Sequence, residues 1–390
     1  MKRAANRIEA IDALRGLALL GVLINNLDTE FRVTFFEQFL PHSSTAADHF
    51  GQIGISLLIE FKAITIFSML FGVGLAIQAE TLAQRGSVPA LLTRRLLVLL
   101  AFGLVHLLLI WNGDILTEYA VVGLIALPLI LAPPRITLAG SAAALALYLA
   151  FSSPLIPLPF PSPVWMARHV IEARQVYGHG SWIDVLRFRI TETSSIAVFL
   201  IYIFPRTVAL VLFGAWAWKS GFIRNAEAHT KLLRNLGWTG LFLGLLLSWL
   251  AGLGISAPVK LPLYLAQVIG VFAPIVLAIG YASLALWYLD KSSPQLVAWI
   301  APIGRMAFTN YIAQSLILTL LFYGYGFGLL GRVDVVAGIG MSVAIFTAQA
   351  FASRWWLRRY YYGPLEWVWR TAMYGVRQPW RRQVREYLVT

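Results

Sequence analysis

Apolar runs alternate with short polar ones along almost the whole chain. Each approaches the roughly 20 residues that a helix needs to cross bilayer hydrocarbon. Ten such runs are legible, at about 13–27, 55–78, 96–111, 120–131, 136–151, 196–218, 238–255, 263–287, 306–323 and 335–352. The fourth and fifth are short, and Pro133-Pro134 between them marks a tight turn. The pattern predicts an all-α, polytopic transmembrane helical bundle of about ten spans. Two segments between runs have their own character. The stretch 28–54 is an acidic outer loop with Asp28, Glu30, Glu37 and Asp48. The stretch 152–193 begins Pro-rich and then reads as an amphipathic helix at the outer interface or over a cavity. A transmembrane domain over 1–353 and a tail over 354–390 follow from this division.

Composition strengthens the membrane reading. Hydrophobic residues make up 59% of the 390 and charged residues 13%, about half the usual quarter of a soluble protein. With no cysteine, thiolate chemistry, disulfides and Cys-type metal sites are excluded. No His-x3-His pair or carboxylate–His cluster suggests a metal, and none is expected. The formal charge of +13 is better explained by topology than by nucleic acid, because the basic residues lie between apolar runs. With the amino terminus inside and the runs alternating, only Arg32, Arg168, Arg174, Arg187, Arg189, Lys260 and Arg332 fall outside. Lys62 and Arg206 lie within runs, and the rest of the 31 Lys and Arg fall inside. That asymmetry predicts an inner (plasma) membrane protein with both termini cytoplasmic. The tail mixes Arg with Trp and Tyr, as an inner-leaflet anchor would.

Ionisable groups at bilayer depth are few and usually face a bundle interior. Glu60 and Lys62 lie about 200° apart around a helix and cannot pair. Either each has a partner elsewhere or the span begins near Ala63. Arg206, after Pro205, calls for an interior anion or carboxylate. His106 falls ten positions into the third run and so belongs to the outer half. Along a straight helix Asp114 would be about 12 Å away, but a fold-back at Asn112-Gly113 would bring it to the ring, as a carboxylate orients a catalytic base. A buried His bonded to a carbonyl is the plainer alternative. Glu118 follows on the outer side. Asp12 and Arg15 have the i, i+3 spacing of an intrahelical pair. Arg15, Arg94, Arg95 and Arg305 form either an anion site at the cytoplasmic mouth or ordinary topology arginines. Asn310 and Gln314 share a helix face, where they bridge helices or line a substrate path.

Several motifs carry a resemblance. Arg7-Ile8-Glu9-Ala10-Ile11-Asp12-Ala13-Leu14-Arg15-Gly16 with Asn25 is similar to the opening of the YeiB-like family of bacterial inner-membrane proteins, a domain of unknown function. Phe67-Ser68-Met69-Leu70-Phe71-Gly72, Gly103-Leu104-Val105-His106 with Trp111 to Leu116, Thr309-Asn310-Tyr311 with Gln314, and Gly363 to Arg370 agree in order. The Asp-x-x-Arg-Gly opening also resembles a wider superfamily of transmembrane acyltransferases, including heparan-α-glucosaminide acetyltransferases and O-acyltransferases of bacterial polysaccharides. That kinship implies transfer of an acyl group from cytoplasmic acyl-CoA, with acetyl-CoA first in mind, to an acceptor on the far side. The acceptor would be a glycan, a lipid or a small molecule. It implies a His as base or acyl carrier: His106 by motif and depth, or His42 or His49 by analogy with relatives whose His lies in the first outer loop. Asn25, Asn310 or Gln314 would then donate to the oxyanion.

Two further readings stand beside it. Arg206 and Lys62 inside the bundle suit a transporter of a small anionic or lipidic solute. The aromatic and basic tail suits a non-catalytic assembly partner. The expected partners are the bilayer, the donor and acceptor, and a second copy of the chain, without nucleic acid. The enzymatic reading requires a route from the Arg15/Arg95 mouth to His106.

Overall fold

The computed structural model describes residues 2–40, 45–83, 87–153, 156–256, 262–291 and 294–382. Among them are helices and no strand, only an isolated antiparallel bridge between Tyr360 and Arg381. Each of the ten apolar runs lies in helix: α1 (Lys2–Asn26), α2 (Ala46–Leu58) with α3 (Lys62–Leu82), α4 (Val88–Val105), α5 (Leu116–Leu131), α6 (Pro134–Phe151), α8 (Trp182–Lys219), α9 (Thr230–Ser256), α10 (Leu263–Lys291), α12 (Ala307–Phe322) and α13 (Val335–Arg359). Three more helices lie between or beyond them: α7 (Pro163–His179), α11 (Pro294–Arg305) and α14 (Pro364–Tyr374). The chain is an all-α, multi-pass membrane protein.

Among the described residues, 7 helical stretches, against the ten expected, are long and apolar enough to cross a membrane. The shortfall has a geometric cause at α5 and α12. Each is apolar but 16 residues long, so each reaches only about 24 Å at 1.5 Å per residue, against about 30 Å of hydrocarbon. Large apolar side chains such as Leu97, Leu104, Ile125, Phe242, Trp249 and Phe351 are exposed on the bundle's outside. A surface of this kind is stable against lipid tails, not water.

Helix association in an apolar solvent rests on close packing rather than on hydrophobic drive. The contact between α3 and α8 is built that way. A Cβ added at Gly72 would overlap the Val211 carbonyl, and one at Gly214 would overlap the Met69 carbonyl. The two glycines are thus reciprocal, each opening room for the other helix's backbone. Around this contact lies one buried cluster, with Leu70, Val73, Leu96, Val122, Val211 and Ala278. A second, with Leu19, Leu23, Phe31, Trp111, Tyr119 and Tyr323, lies beside the turn after α4.

The second run is not one helix. It breaks between α2 and α3, and Phe61 takes a left-handed φ of 58°, a conformation that costs a bulky residue on the order of 1–3 kcal/mol. Arg206 braces the break. Its Nη2 donates to the Phe61 carbonyl at 3.0 Å and to Thr65 Oγ1 at 2.5 Å, and its guanidinium lies 5.4 Å from the Phe61 ring centre. Of the anion or carboxylate expected for Arg206, no carboxylate forms an ion pair with it among the described residues. Lys62 opens α3, and its Nζ donates to the Ser56 carbonyl at 2.5 Å, so the ammonium is satisfied by backbone freed at the break. Residue 353, where the sequence pattern divides membrane domain from tail, falls inside α13, which continues to Arg359 before α14 packs back on the bundle.

Replacing Gly72 with Ala should cost about 1–3 kcal/mol, the usual range for overpacking. Thermal unfolding in lipid nanodiscs reads this, and an unshifted midpoint would mean that α3 and α8 do not approach as closely as described.

Candidate functional site: a buried His–Asp pair between two cavities

The site is built at the end of α4. The helix loosens there into a π-helical turn, His106–Ile110, closed by the Trp111 N–H donating to the His106 carbonyl at 2.8 Å. Such turns inside α-helices are rare and are often found at functional sites. Trp111 is extended, the chain folds back at Asn112-Gly113, and Asp114 accepts the Leu116 N–H at 3.1 Å and the Thr117 N–H at 2.6 Å. The fold-back places Asp114 Oδ1 2.7 Å from His106 Nδ1, with both side chains buried. An ionised carboxylate only accepts, so with Asp114 ionised the proton of this contact lies on Nδ1, and in the neutral ring the lone pair is then on Nε2. That Nε2 is buried and has no hydrogen-bond partner.

Two aromatic side chains close the ring off. Trp111 stands edge-on at 6.1 Å between ring centres and Tyr311 lies tilted at 5.3 Å. The Tyr311 hydroxyl is tied to the fold-back, accepting the Ile115 N–H at 3.3 Å and donating to the Gly113 carbonyl at 3.4 Å.

Two cavities approach this wall from different ends of α1. The smaller, about 490 Å³, meets α1 at Asp12 and Arg15 and is completed by Arg95, Arg305, Glu366 and Arg370. The larger, about 950 Å³, meets α1 at Val22, Asn25 and Asn26 and includes Glu30, Asp114 and Arg206. Asp12 and Val22 are about 15 Å apart along the helix. Ile115 and Tyr311 border both cavities, so the cavities meet at a partition to which these two residues belong. His106 borders neither, and the open route expected from mouth to ring is replaced by a partition with the ring behind it.

The other expected residues sort as follows. Arg15 Nη1 donates to Asp12 Oδ1 at 2.5 Å, the intrahelical pair predicted from spacing, and lies 3.4 Å from the Gly304 carbonyl. Arg15, Arg95 and Arg305 line the smaller cavity, but Arg94 does not. Successive residues turn about 100° around a helix, so Arg94 points elsewhere and is exposed near Gly375. Glu118 and Glu60 line the larger cavity, and Glu118 accepts from Thr207 Oγ1 at 2.6 Å. Asn310 and Gln314 line neither cavity and are bridges instead. Asn310 Nδ2 donates to Ser353 Oγ at 3.0 Å, and Gln314 Nε2 donates to Gln349 Oε1 at 2.8 Å, joining α12 to α13. His49 is exposed on α2 away from both cavities, and His42 lies outside the described residues.

Sequence reading missed the role of the tail. Glu366 on α14 accepts the Phe308 N–H at 2.9 Å, the Thr309 N–H at 3.1 Å and the Thr309 hydroxyl at 2.5 Å, at the start of α12. Burial pushes its carboxyl above the usual range. Trp369 donates to the Arg95 carbonyl at 2.9 Å, and the Arg95 guanidinium stacks on its ring at 3.9 Å. The tail is therefore a wall of the cationic cavity as well as an aromatic and basic segment. A second His–carboxylate pair was also missed: His169 Nε2 lies 2.7 Å from Glu192 Oε1, with His169 stacked against Trp165 and Phe188. Both tail residues and pair are distant in sequence from their partners, and nothing in local spacing announces them. Among the described residues no three His, Asp or Glu gather as metal ligands would.

A family profile described as "Protein of unknown function (DUF418)" matches residues 217–376. Over 400 aligned residues the chain is 34% identical to the uncharacterized protein YxaH of Bacillus subtilis (strain 168), covering 96% of each. It is 28% identical to the uncharacterized protein YeiB of Escherichia coli (strain K12), covering 92% of this chain and 94% of that one. An "Uncharacterized 39.9 kDa protein in amylase 3'region" of Bacillus acidopullulyticus is also 28% identical, over 96% of this chain and 95% of its own. The chain is a YeiB-like member of the DUF418 family. The expected family membership holds. The matched DUF418 segment contains Arg305, Tyr311, Glu366 and Arg370, and so covers one side of the smaller cavity and part of the partition.

Replacing Glu366 with Ala strands two backbone N–H groups at the start of α12 and should cost about 1–3 kcal/mol. Limited proteolysis should then cut the tail faster. Because burial raises the folded carboxyl above its free value, α14 should dock most firmly at acid pH and loosen as pH rises through that range. Protection that is flat with pH, together with unchanged cleavage of the Glu366→Ala variant, would remove Glu366 as the docking contact.

Proposed function

We propose that this protein is a membrane-embedded acyltransferase, with acyl-CoA, acetyl-CoA first, as donor in the cationic cavity and an acceptor hydroxyl or amine in the larger one. The observation that carries this reading is the His106–Asp114 pair, whose unpartnered Nε2 lies behind the partition between two cavities at different levels of the bundle. Arg15, Arg95, Arg305 and Arg370 supply the charge a phosphorylated donor head needs. In the reaction, the acceptor's oxygen or nitrogen attacks the thioester carbonyl while Nε2 takes its proton. The new C–O or C–N bond forms, the C–S bond breaks, and the proton passes from the imidazolium to the departing thiolate. Asp114 holds the tautomer and stabilises the imidazolium.

The closed ring sets a condition on the mechanism: Tyr311 or Ile115 must move for Nε2 to meet substrate. Of the three amides considered for the oxyanion, Asn25 is the one that lines a cavity. On this reading the cationic end is cytoplasmic, with both termini there and the protein in the inner membrane, as the distribution of Lys and Arg favours.

Labelled acetyl-CoA and longer acyl-CoA, given to the protein in nanodiscs, should yield transfer or slow hydrolysis. His106→Ala should lower that rate by about 10²–10⁴, the usual worth of a general base. Asp114→Asn should lower it too, with helix content unchanged in both. Full turnover without the imidazole would sink its assigned role. A transporter is the second reading, favoured by two cavities that share Ile115 and Tyr311. Solute flux in proteoliposomes without any acyl donor would decide for it.

A further inference from the structure

The larger cavity has two unlike kinds of lining. Phe35, Phe39, Phe160 and Phe199 form a continuous aromatic wall, with ring centres 5.4 Å apart for Phe35 and Phe199, 5.1 Å for Phe39 and Phe199, and 5.0 Å for Phe160 and Phe199. Glu30, Asp114 and Glu118 also line it. Glu30 Oε2 sits against Gly113, next to Asp114, and Glu118 is one turn further along. Glu60 also lines the cavity. Four carboxyl groups thus face it, against the single guanidinium of Arg206.

Some donors in this lining are already engaged. Arg206 Nη2 is bound to the Phe61 carbonyl and Thr65, Asn112 Nδ2 donates to Glu192 at 2.8 Å, and Gln38 Nε2 donates to the Phe35 carbonyl at 2.8 Å. Acceptors are left over. Asn25 Oδ1 and Gln267 Oε1 both belong to residues lining the cavity, and both are buried without a hydrogen-bond partner. A surplus of buried acceptors is costly unless a ligand brings donors. The aromatic wall calls for an apolar chain. At about 950 Å³ the space is at the upper end of the roughly 300–1,000 Å³ that encloses a drug-sized ligand.

We infer that the larger cavity binds a single-chain amphiphile, its apolar chain along Phe35, Phe39, Phe160 and Phe199 and a hydrogen-bond-donating head, a sugar-like polyol or an amine, at Glu30 and Glu118. This rests on the acceptor role proposed above for the cavity and specifies its substrate class. The head's hydroxyls or amine would lie on the Asp114 side of the partition, nearest the imidazole. A carboxylate, sulfate or phosphate head is disfavoured by the four carboxyl groups.

The test uses the full chain in lipid nanodiscs with no acyl donor present. Dodecyl probes carrying a photoactivatable group in the chain are compared with three heads: glucoside, ammonium and sulfate. The glucoside or the ammonium probe should label peptides containing Phe160 or Phe199 at least fivefold more than the sulfate probe. Whichever of the two labels more strongly identifies the head. Glu30→Gln with Glu118→Gln should reduce that preference without abolishing chain labelling. Equal labelling by all three heads, or labelling confined to the outside of the bundle, overturns the inference. Because binding is read without turnover, selective labelling in a protein that transfers no acyl group would uphold this site while removing the enzymatic reading. Transfer to a water-soluble acceptor, without selective labelling, would do the reverse.

Discussion

Asp114 is the group on which the site depends. In hydrocarbon a backbone N–H without a partner costs several kcal/mol, and the start of α5 has free N–H groups to satisfy. Asp114 satisfies two of them and with the same carboxylate holds His106. The π-helical turn, the extended Trp111 and the fold-back at Asn112-Gly113 are what it takes to bring that carboxylate back along α4. The partition between the cavities is fastened to the same turn through the Tyr311 hydroxyl. A change at Asp114 therefore reaches helix capping, imidazole orientation and the partition together.

Polar groups elsewhere obey the same constraint in different ways. Arg206 and Lys62 take carbonyls released where α2 gives way to α3. Asn310, Gln314, Gln349 and Ser353 pair with one another between α12 and α13. Glu366 takes the free N–H groups at the start of α12. Groups that look alike in a list of intramembrane polar residues thus divide into those consumed by structure and those left facing a cavity. Only the second kind is free for chemistry.

The two cavities differ in the chemistry they offer. One is ringed by arginines and closed partly by α14, while the other pairs an aromatic wall with surplus acceptors. The two share Ile115 and Tyr311 as lining residues. That arrangement suits a group transfer between them, and it also explains why the imidazole is kept dry in the closed state.

The sequence by itself determined what is periodic or local. The apolar runs placed the helices and the Asp12–Arg15 spacing gave its ion pair, because each depends on residues within a turn or two; the Asn-Gly fold-back made the His106–Asp114 contact one of two alternatives, and the structure chose it. It also carried the family resemblance through ordered motifs. It did not separate Arg94 from Arg95, since both suit a cationic mouth and only the rotation of α4 against its neighbours selects one. Nor did it show that Asn310 and Gln314 are occupied by α13, that Arg206 braces Phe61, or that Glu366 returns from the tail to α12. Those contacts join residues tens to hundreds of positions apart, and a partner at that range is chosen by how helices pack, which no local spacing encodes.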